Sequence, residues 1–341
     1  MKATYMYGPG DVRVDEVAKP HIIEPTDAII KLAATCVCGS DLWPYRGDDE
    51  ISEPQAMGHE YVGVVEEVGS AVTQIKVGDF VVGSFCLSDN TCEICASGYP
   101  SRCVHGSFMS GAQAEYARVP LADGTLVATP AVPNEDQLKH LMAASDVLGT
   151  GWFAADEAQA GPGKIVVVVG DGAVGLLAVL AAKQMGAERI IVMSRHADRQ
   201  KLAREFGATD VVAERGEEGV AAIKKLTDGL GAHSVIEAVG TQQSMATAIA
   251  VTRPGGHIGY VGVSHDVKID GLNLFFSEVH LMGGPAPVRK YLPHFIDLIF
   301  KGAIEPGKVF TKTVSLDDIA EGYRAMHNRE AIKTFVTMPQ K

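Results

Sequence analysis

Six cysteines, Cys36, Cys38, Cys86, Cys92, Cys95 and Cys103, all fall in the first third of this 341-residue chain. In a reducing compartment such clustering reads as metal ligation before disulfide formation. Cys92-x2-Cys95-x7-Cys103 carries most of that signal, because three thiolates so spaced would otherwise form a solvent-near cluster open to oxidation. Cys36 and Cys86 read equally well as small core residues. Further donors stand in Cys38-Gly39-Ser40-Asp41, in Gly58-His59-Glu60 and in Ala144-Ser145-Asp146. Thiolate, imidazole and carboxylate are the ligands that zinc accepts. Singly each has an ordinary explanation: a hydrogen-bonded histidine, or an aspartate that caps the helix after it.

A second chemistry is written in Gly170-Asp171-Gly172-Ala173-Val174-Gly175, set between the apolar stretch Ile165–Val169 and a helical pattern running to Met185. In that context Gly170 permits a tight turn, Gly172 lets backbone approach a pyrophosphate, and Gly175 lets helix pack on strand. Helix N-terminal amides then receive the phosphate charge. Dinucleotide sites for NAD place an acid about 20 residues on, at the end of the next strand, to bind the ribose 2′-hydroxyl. Here Ser194-Arg195-His196 stands there, with Arg199 one helical turn later. With no carboxylate at the strand end and a guanidinium suited to a phosphate, the reading is NADP(H) in preference to NAD(H).

These residues need elements to hold them. Up to about residue 120 the chain is strand-like and turn-rich, with β-branched runs at Ala28–Thr35 and Tyr61–Val68 and no long helical period. That pattern predicts a small β-rich domain. After about residue 145, short apolar runs at Ile165–Val169, Ile190–Met193, Val211–Val212, Val235–Val239, Ile258–Val263 and Val279–Met282 alternate with helical segments. Six buried strands in that rhythm predict a doubly wound parallel sheet, so the fold class is α/β. Leu292, Phe295, Ile296 and Ile299 mark an amphipathic helix, and Ser315 with Asp318 a capping box before Ile319, Tyr323 and Met326. The length predicts two domains. A net charge of -12 argues against nucleic acid and anionic membrane as partners. No apolar run approaches the roughly 20 residues of a membrane helix. The opening MKATYMYGPGDVRVDE lacks an apolar signal core, and the expectation is a cytoplasmic enzyme.

Taken together, the segment Gly58-His59-Glu60-x2-Gly63-x5-Gly69-x2-Val72, Cys38-Gly39-Ser40-Asp41 before it and the glycine turn after it resemble the zinc-dependent medium-chain dehydrogenase/reductase (alcohol dehydrogenase) superfamily. The resemblance covers essentially the whole chain. It implies a GroES-like catalytic domain from residues 1–147 and 288–341, a Rossmann coenzyme domain from 148–287, and an active site in the cleft between them. It also implies a catalytic zinc on Cys38, His59 and Asp146, the last in the place where many members have a cysteine. Glu60 is then either a fourth ligand or an electrostatic neighbour. Ser40 matches the family's proton-relaying hydroxyl, and Trp43 stands where the relay often ends in histidine. Trp43, Phe85 and Trp152 are candidate pocket walls, each equally readable as a core aromatic.

The family's structural-zinc lobe matches Cys92, Cys95 and Cys103, with Asp89 in place of the first cysteine. Beyond the glycines, Ala173, Val174, Ala238, Val239, Val261 and Gly262 are the implied coenzyme contacts, with Lys333 directed at the pyrophosphate. The implied reaction is hydride transfer between NADP(H) and a primary or secondary alcohol or its aldehyde or ketone. A polyol or sugar dehydrogenase is the runner-up, and a non-catalytic NADP(H)-binding protein a distant third. Relatives form homodimers or homotetramers through their coenzyme domains, which gives Val279–Pro287 a possible contact role.

Overall fold

Ile165–Val169 is a run of five β-branched residues, and as a strand with both faces covered it buries nearly all of them. In this computed structural model, which describes residues 1–339, that strand sits inside a six-stranded parallel sheet. The strand order is Asp210–Val212, Arg189–Met193, Ile165–Val169, Ala232–Glu237, Thr252–Tyr260 and His280–Gly283. Numbered along the chain this is 3-2-1-4-5-6, the dinucleotide-binding order, whose ligand crevice lies at the carboxyl ends of the central strands. The helix Ala173–Gln184 leaves the first of these strands through the glycine turn. The sheet core is aliphatic, with Val167, Val169, Ile191, Val235 and Ile258 among its members.

The two strands after the centre differ from their expected spans. Ala232–Glu237 stops before Val239, and Thr252–Tyr260 begins earlier than Ile258 and stops before Val263. Thr252–Tyr260 ends where the Val261 N–H makes the last inter-strand bond, to the Glu237 carbonyl, and the Gly262 N–H turns to that same oxygen.

The chain divides into two compact units, Met1–Asp146 with the segment from Pro287 onward, and Val147–Ala286. The first is β-rich. The strand Ala28–Val37 pairs antiparallel with Tyr61–Val68 and with the late strand Lys333–Thr337. Tyr61–Val68 pairs in turn with Phe80–Gly83. The core of this unit gathers Ile30, Leu32, Tyr61 and Val65 with Val81 and Leu126. The helix Val288–Phe300 buries Leu292, Phe295, Ile296 and Ile299, the predicted stripe. Ser315 does cap Asp318, but the turn it opens is a 3-10 turn, Leu316–Asp318, ahead of the helix Ile319–His327. Among the described residues no helix is long and apolar enough to cross a membrane.

Candidate functional site

Cys38 follows directly on the strand Ala28–Val37, and His59-Glu60 directly precede Tyr61–Val68. Because Thr35 pairs with Tyr61, the two strand ends lie side by side and bring these donors together. Gly58 makes the approach possible. Its φ is +96°, and a Cβ there would meet the Gln113 backbone nitrogen at 2.4 Å. Asp146 arrives from elsewhere, one residue past the end of the helix Glu135–Ala144 and its cap Ser145. Ser145 fastens that turn to the sheet: its hydroxyl accepts the Tyr61 N–H at 2.9 Å and donates to the Gly83 carbonyl at 2.6 Å.

The result is a group in which one ligand atom each from Cys38, His59, Glu60 and Asp146 lies within 4.8 Å of the others. His59 Nε2 is 3.3 Å from Asp146 Oδ2, and Cys38 Sγ is 3.8 Å from the same oxygen. His59 Nε2 and Glu60 Oε1 are 4.0 Å apart. Glu60 is buried, and its Oε2 has no hydrogen-bond partner among the described residues. A thiol, an imidazole and two carboxylates gathered this closely, with one buried Glu60 oxygen left unbonded, are a donor set a divalent cation fits. Electrostatics agree. Burial alone would lower the pKa of His59, but the neighbouring Cys38 sulfur and Asp146 carboxylate hold it well above the ordinary imidazole value.

Sequence reasoning missed the supports. Asp41 Oδ2 accepts the Cys38 N–H at 2.9 Å and the Gln113 amide at 3.1 Å, while its Oδ1 lies 3.6 Å from His59 Nδ1. At that distance Asp41 acts on the far nitrogen of His59 as a nearby negative charge rather than through a hydrogen bond. Gln113 also donates to the Cys36 carbonyl and accepts the Tyr323 hydroxyl. Only the Asp in Cys38-Gly39-Ser40-Asp41 offered any local signal. Lys333 requires a correction. The expectation set it toward a coenzyme pyrophosphate, but it is only 1% exposed, and its ammonium bonds Glu60 Oε1 at 2.6 Å and the Val37 carbonyl at 3.2 Å. Its charge is engaged inside the β-rich unit. Ser40 is half-buried two residues from Cys38, and Trp43 stands on the short helix Leu42–Arg46. Phe85 packs edge-on against the His59 ring, with centroids 6.1 Å apart. Trp152 is buried on the helix Val147–Glu157 of the other unit.

The second donor group hangs between the paired strands Cys86–Leu87 and Ser107–Phe108. Asp89, Cys92, Cys95 and Cys103 again fall within 4.8 Å. Cys92 Sγ lies 3.4 Å from Cys95 Sγ and 3.9 Å from Cys103 Sγ, and Asp89 Oδ1 is 3.3 Å from Cys103 Sγ. All the cysteines are free thiols. Asp89 thus takes the fourth place, and its other oxygen meets His105 Nδ1 at 2.6 Å, a residue the sequence did not single out. Partial burial raises the Asp89 carboxyl pKa, but the N–H groups of Thr91 and Cys92 and the His105 ring hold it well below the usual range.

In the coenzyme unit, Gly172 opens onto empty space, whereas a Cβ on Gly175 would meet the Gly170 carbonyl oxygen at 2.2 Å. The turn therefore leaves a cradle on one side and tight packing on the other, as a pyrophosphate requires. Glu237 Oε1 accepts the N–H groups of Val239 and Gly240, which fixes the segment Ala238–Val239 at the strand end. The expected absence of an acid at the end of Arg189–Met193 does not hold in space. The Asp171 carboxylate, from the glycine turn itself, accepts the Ser194 hydroxyl at 2.7 Å. Arg199 Nη1 reaches the same residue at 3.3 Å, and Arg195 is exposed.

Comparison with known proteins agrees with this geometry. Residues 24–131 match the alcohol dehydrogenase GroES-like domain and residues 173–301 the zinc-binding dehydrogenase family. A zinc-type alcohol dehydrogenase of Aspergillus flavus is 35% identical over 336 residues, covering 95% of this chain and 78% of the relative. The solved structure of an alcohol dehydrogenase from Thermus sp. ATN1 superposes with a TM-score of 0.90 at 29% identity, covering 99% of this chain and all of that one. A zinc-binding dehydrogenase from Sinorhizobium meliloti, solved bound to NADP, gives a TM-score of 0.83 at 26% identity, with 98% of each chain covered.

Proposed function

The chain belongs to the zinc-type alcohol dehydrogenases of the medium-chain dehydrogenase/reductase superfamily, and from that premise we propose a specific activity for it. It transfers a hydride between NADP(H) and a primary or secondary alcohol or the matching aldehyde or ketone. The observation that carries this reading is the convergence of Cys38, His59, Glu60 and Asp146 around one point in the GroES-like unit. Bound there, zinc supplies Lewis acidity toward the substrate oxygen, and the nicotinamide carries the hydride.

The chain's own residues do the rest. Cys38, His59 and Asp146 would hold the metal, with the Asp41 charge behind the far nitrogen of His59. Glu60 stays with Lys333 as a neutralised neighbour of that point, with its second oxygen buried and unbonded. Ser40 takes up or returns the hydroxyl proton of the substrate. Trp43 stands where an imidazole could have relayed that proton further, so the chain itself supplies no histidine for its exit from Ser40. Phe85, placed against His59, walls the substrate's side of the metal. Asp89, Cys92, Cys95 and Cys103 hold a second, structural zinc. The exposed Arg195 supports NADP(H), as does the NADP-bound relative. Assembly into a homodimer or homotetramer belongs to the same reading. The open edge at His280–Gly283 and the exposed Leu272, Phe275 and Phe276 support it.

The test combines zinc analysis with a coenzyme assay over alcohols, aldehydes, ketones and polyols. Two zinc ions per chain and a higher kcat/KM with NADP than with NAD are expected, with simple alcohols or carbonyls favoured. Polyols as the better substrates would move the chain to that branch, and a higher efficiency with NAD would overturn the coenzyme assignment. Ser40→Ala should cut turnover far more than it weakens coenzyme binding; equal turnover would remove the relay.

A further inference from the structure

At the carboxyl end of the parallel sheet, three side chains compete for one another before any coenzyme arrives. Asp171 is only 8% exposed, and its carboxylate takes the Ser194 hydroxyl on one oxygen and Arg199 Nη1 on the other, at 2.7 and 3.3 Å. The same guanidinium nitrogen also reaches the Asp171 carbonyl at 3.2 Å. Ser194 is fully buried, and its backbone carbonyl is held by Gln200. The remaining nitrogens of Arg199 and the whole of Arg195 have no hydrogen-bond partner among the described residues.

A 2′-phosphate carries about -1.5 to -2 charges and accepts hydrogen bonds only. Two of the donors suited to it, the Ser194 hydroxyl and one arm of Arg199, are already given to a carboxylate. That carboxylate is also a fixed negative charge in a poorly solvated place, so it repels a second anion brought nearby. A ribose 2′-hydroxyl meets neither obstacle. It can donate to Ser194 Oγ, whose lone pairs stay open.

We propose that Asp171 sets the coenzyme selectivity of this enzyme, acting as an internal rival to the 2′-phosphate for Ser194 and Arg199. The preference for the phosphorylated coenzyme then comes from Arg195 and the spare arms of Arg199. Asp171 keeps that preference modest and leaves the non-phosphorylated form usable. The inference rests on the reading of Ser194-Arg195 as a 2′-phosphate site.

Calorimetry with 2′,5′-ADP and with ADP measures this on the intact protein without any turnover. Wild type should bind 2′,5′-ADP the more tightly. Asp171→Asn should raise the ratio of the two affinities roughly tenfold, the effect of removing one nearby charge. In the Arg199→Gln background the gain should shrink, because one contested donor is gone. If Asp171→Asn fails to fold, Asp171→Ser carries the same expectation. A ratio that is unchanged or lower in a folded Asp171 variant overturns the proposal and leaves the coenzyme reading standing. A wild type that prefers ADP overturns the coenzyme reading, and the response of the ratio to Asp171→Asn still decides the role of Asp171.

Discussion

Cys38, His59, Glu60 and Asp146 meet under cover of the antiparallel sheet, whereas Asp89, Cys92, Cys95 and Cys103 meet on a loop whose nearest neighbour, His105, has a side chain 65% exposed. Both groups present thiols and carboxylates within the same span, yet their surroundings push them apart chemically. Burial raises the pKa of the Cys38 thiol, against the pull of Lys333. In the lobe, the N–H groups of Val104 and Cys95 bring the Cys92 thiol down to about 7. The buried group is mixed in donor type, carries a lysine counter-charge and leaves one carboxylate oxygen unmatched. The lobe is dominated by thiols and ties its single carboxylate to neighbouring N–H groups and a histidine. A mixed, partly unsatisfied set suits a metal that must accept a substrate, and a closed thiolate set suits one that only holds a loop.

The largest effect that separates the two regions is on turnover. Cys38→Ser should remove the catalytic zinc and lower kcat on the order of a thousandfold, since Lewis-acid assistance is worth several kcal/mol. Cys103→Ser should release the lobe zinc and lower Tm while the folded enzyme keeps most of its kcat. Metal analysis with steady-state rates on both variants checks this. Equal losses of kcat would erase the distinction.

A smaller effect probes what covers the buried group. Lys333 and Glu60 are each 1% exposed and bonded at 2.6 Å. Lys333→Met leaves Glu60 buried without its cation and should cost about 3–5 kcal/mol in denaturant unfolding. Glu60→Gln with Lys333→Met removes both charges and should recover part of that loss. A single variant as stable as wild type would mean that the pair is water-exposed in solution.

How much of this was readable in advance follows from range. The donor types at Cys38, His59, Cys92, Cys95 and Cys103 stand out because they occur in short, chemically specific spacings. The same holds for Ile165–Val169 and the turn after it, where strand, glycines and helix are consecutive. The partners that make these groups work are remote. Lys333 meets Glu60 across 273 residues, and Ser145 pins Tyr61 across 84. No local pattern encodes such contacts, so nothing near Lys333 in the chain points to Glu60 as its anion. Asp171 is hidden for a related reason. The residues after the second strand, Ser194-Arg195-His196, hold no acid, but the parallel register places the glycine turn beside that strand's end, and the carboxylate comes from 23 residues earlier.

The low pKa of Cys92 gives the comparison a pH signature. In metal-free protein, iodoacetamide should label Cys92 before Cys95, whose thiol burial raises to about 12. Only the thiolate reacts, and a group titrating near 7 goes from mostly protonated at pH 6 to mostly ionised at pH 8, so its rate should rise about tenfold between them. Cys38 should lag throughout, and added zinc should protect the lobe. Peptide mapping by mass spectrometry reads each site. Labelling of Cys38 as fast as Cys92 would show that burial does not separate the clusters.

The smallest expected effect falls on His105, where the lobe's carboxylate is held from behind. Its Nδ1 meets Asp89 Oδ2 at 2.6 Å, which leaves Oδ1 as the oxygen facing Cys103 and Cys95. Residues that orient a metal ligand in this way typically contribute 10–100-fold in metal affinity. His105 is largely in water, where solvent screens the interaction, so its share should sit at the low end, about tenfold. Zinc release from His105→Ala to a chromophoric chelator should be faster for one of the two ions only, and His105→Gln, which can still donate to Oδ2, should restore most of the retention. Faster release of both ions would point to a general loosening of the β-rich unit. No change in either would make the contact an ordinary surface pair. The variant therefore asks whether the exposed lobe orients its one carboxylate ligand through a histidine bonded behind it, where the buried centre sets only the Asp41 charge behind His59.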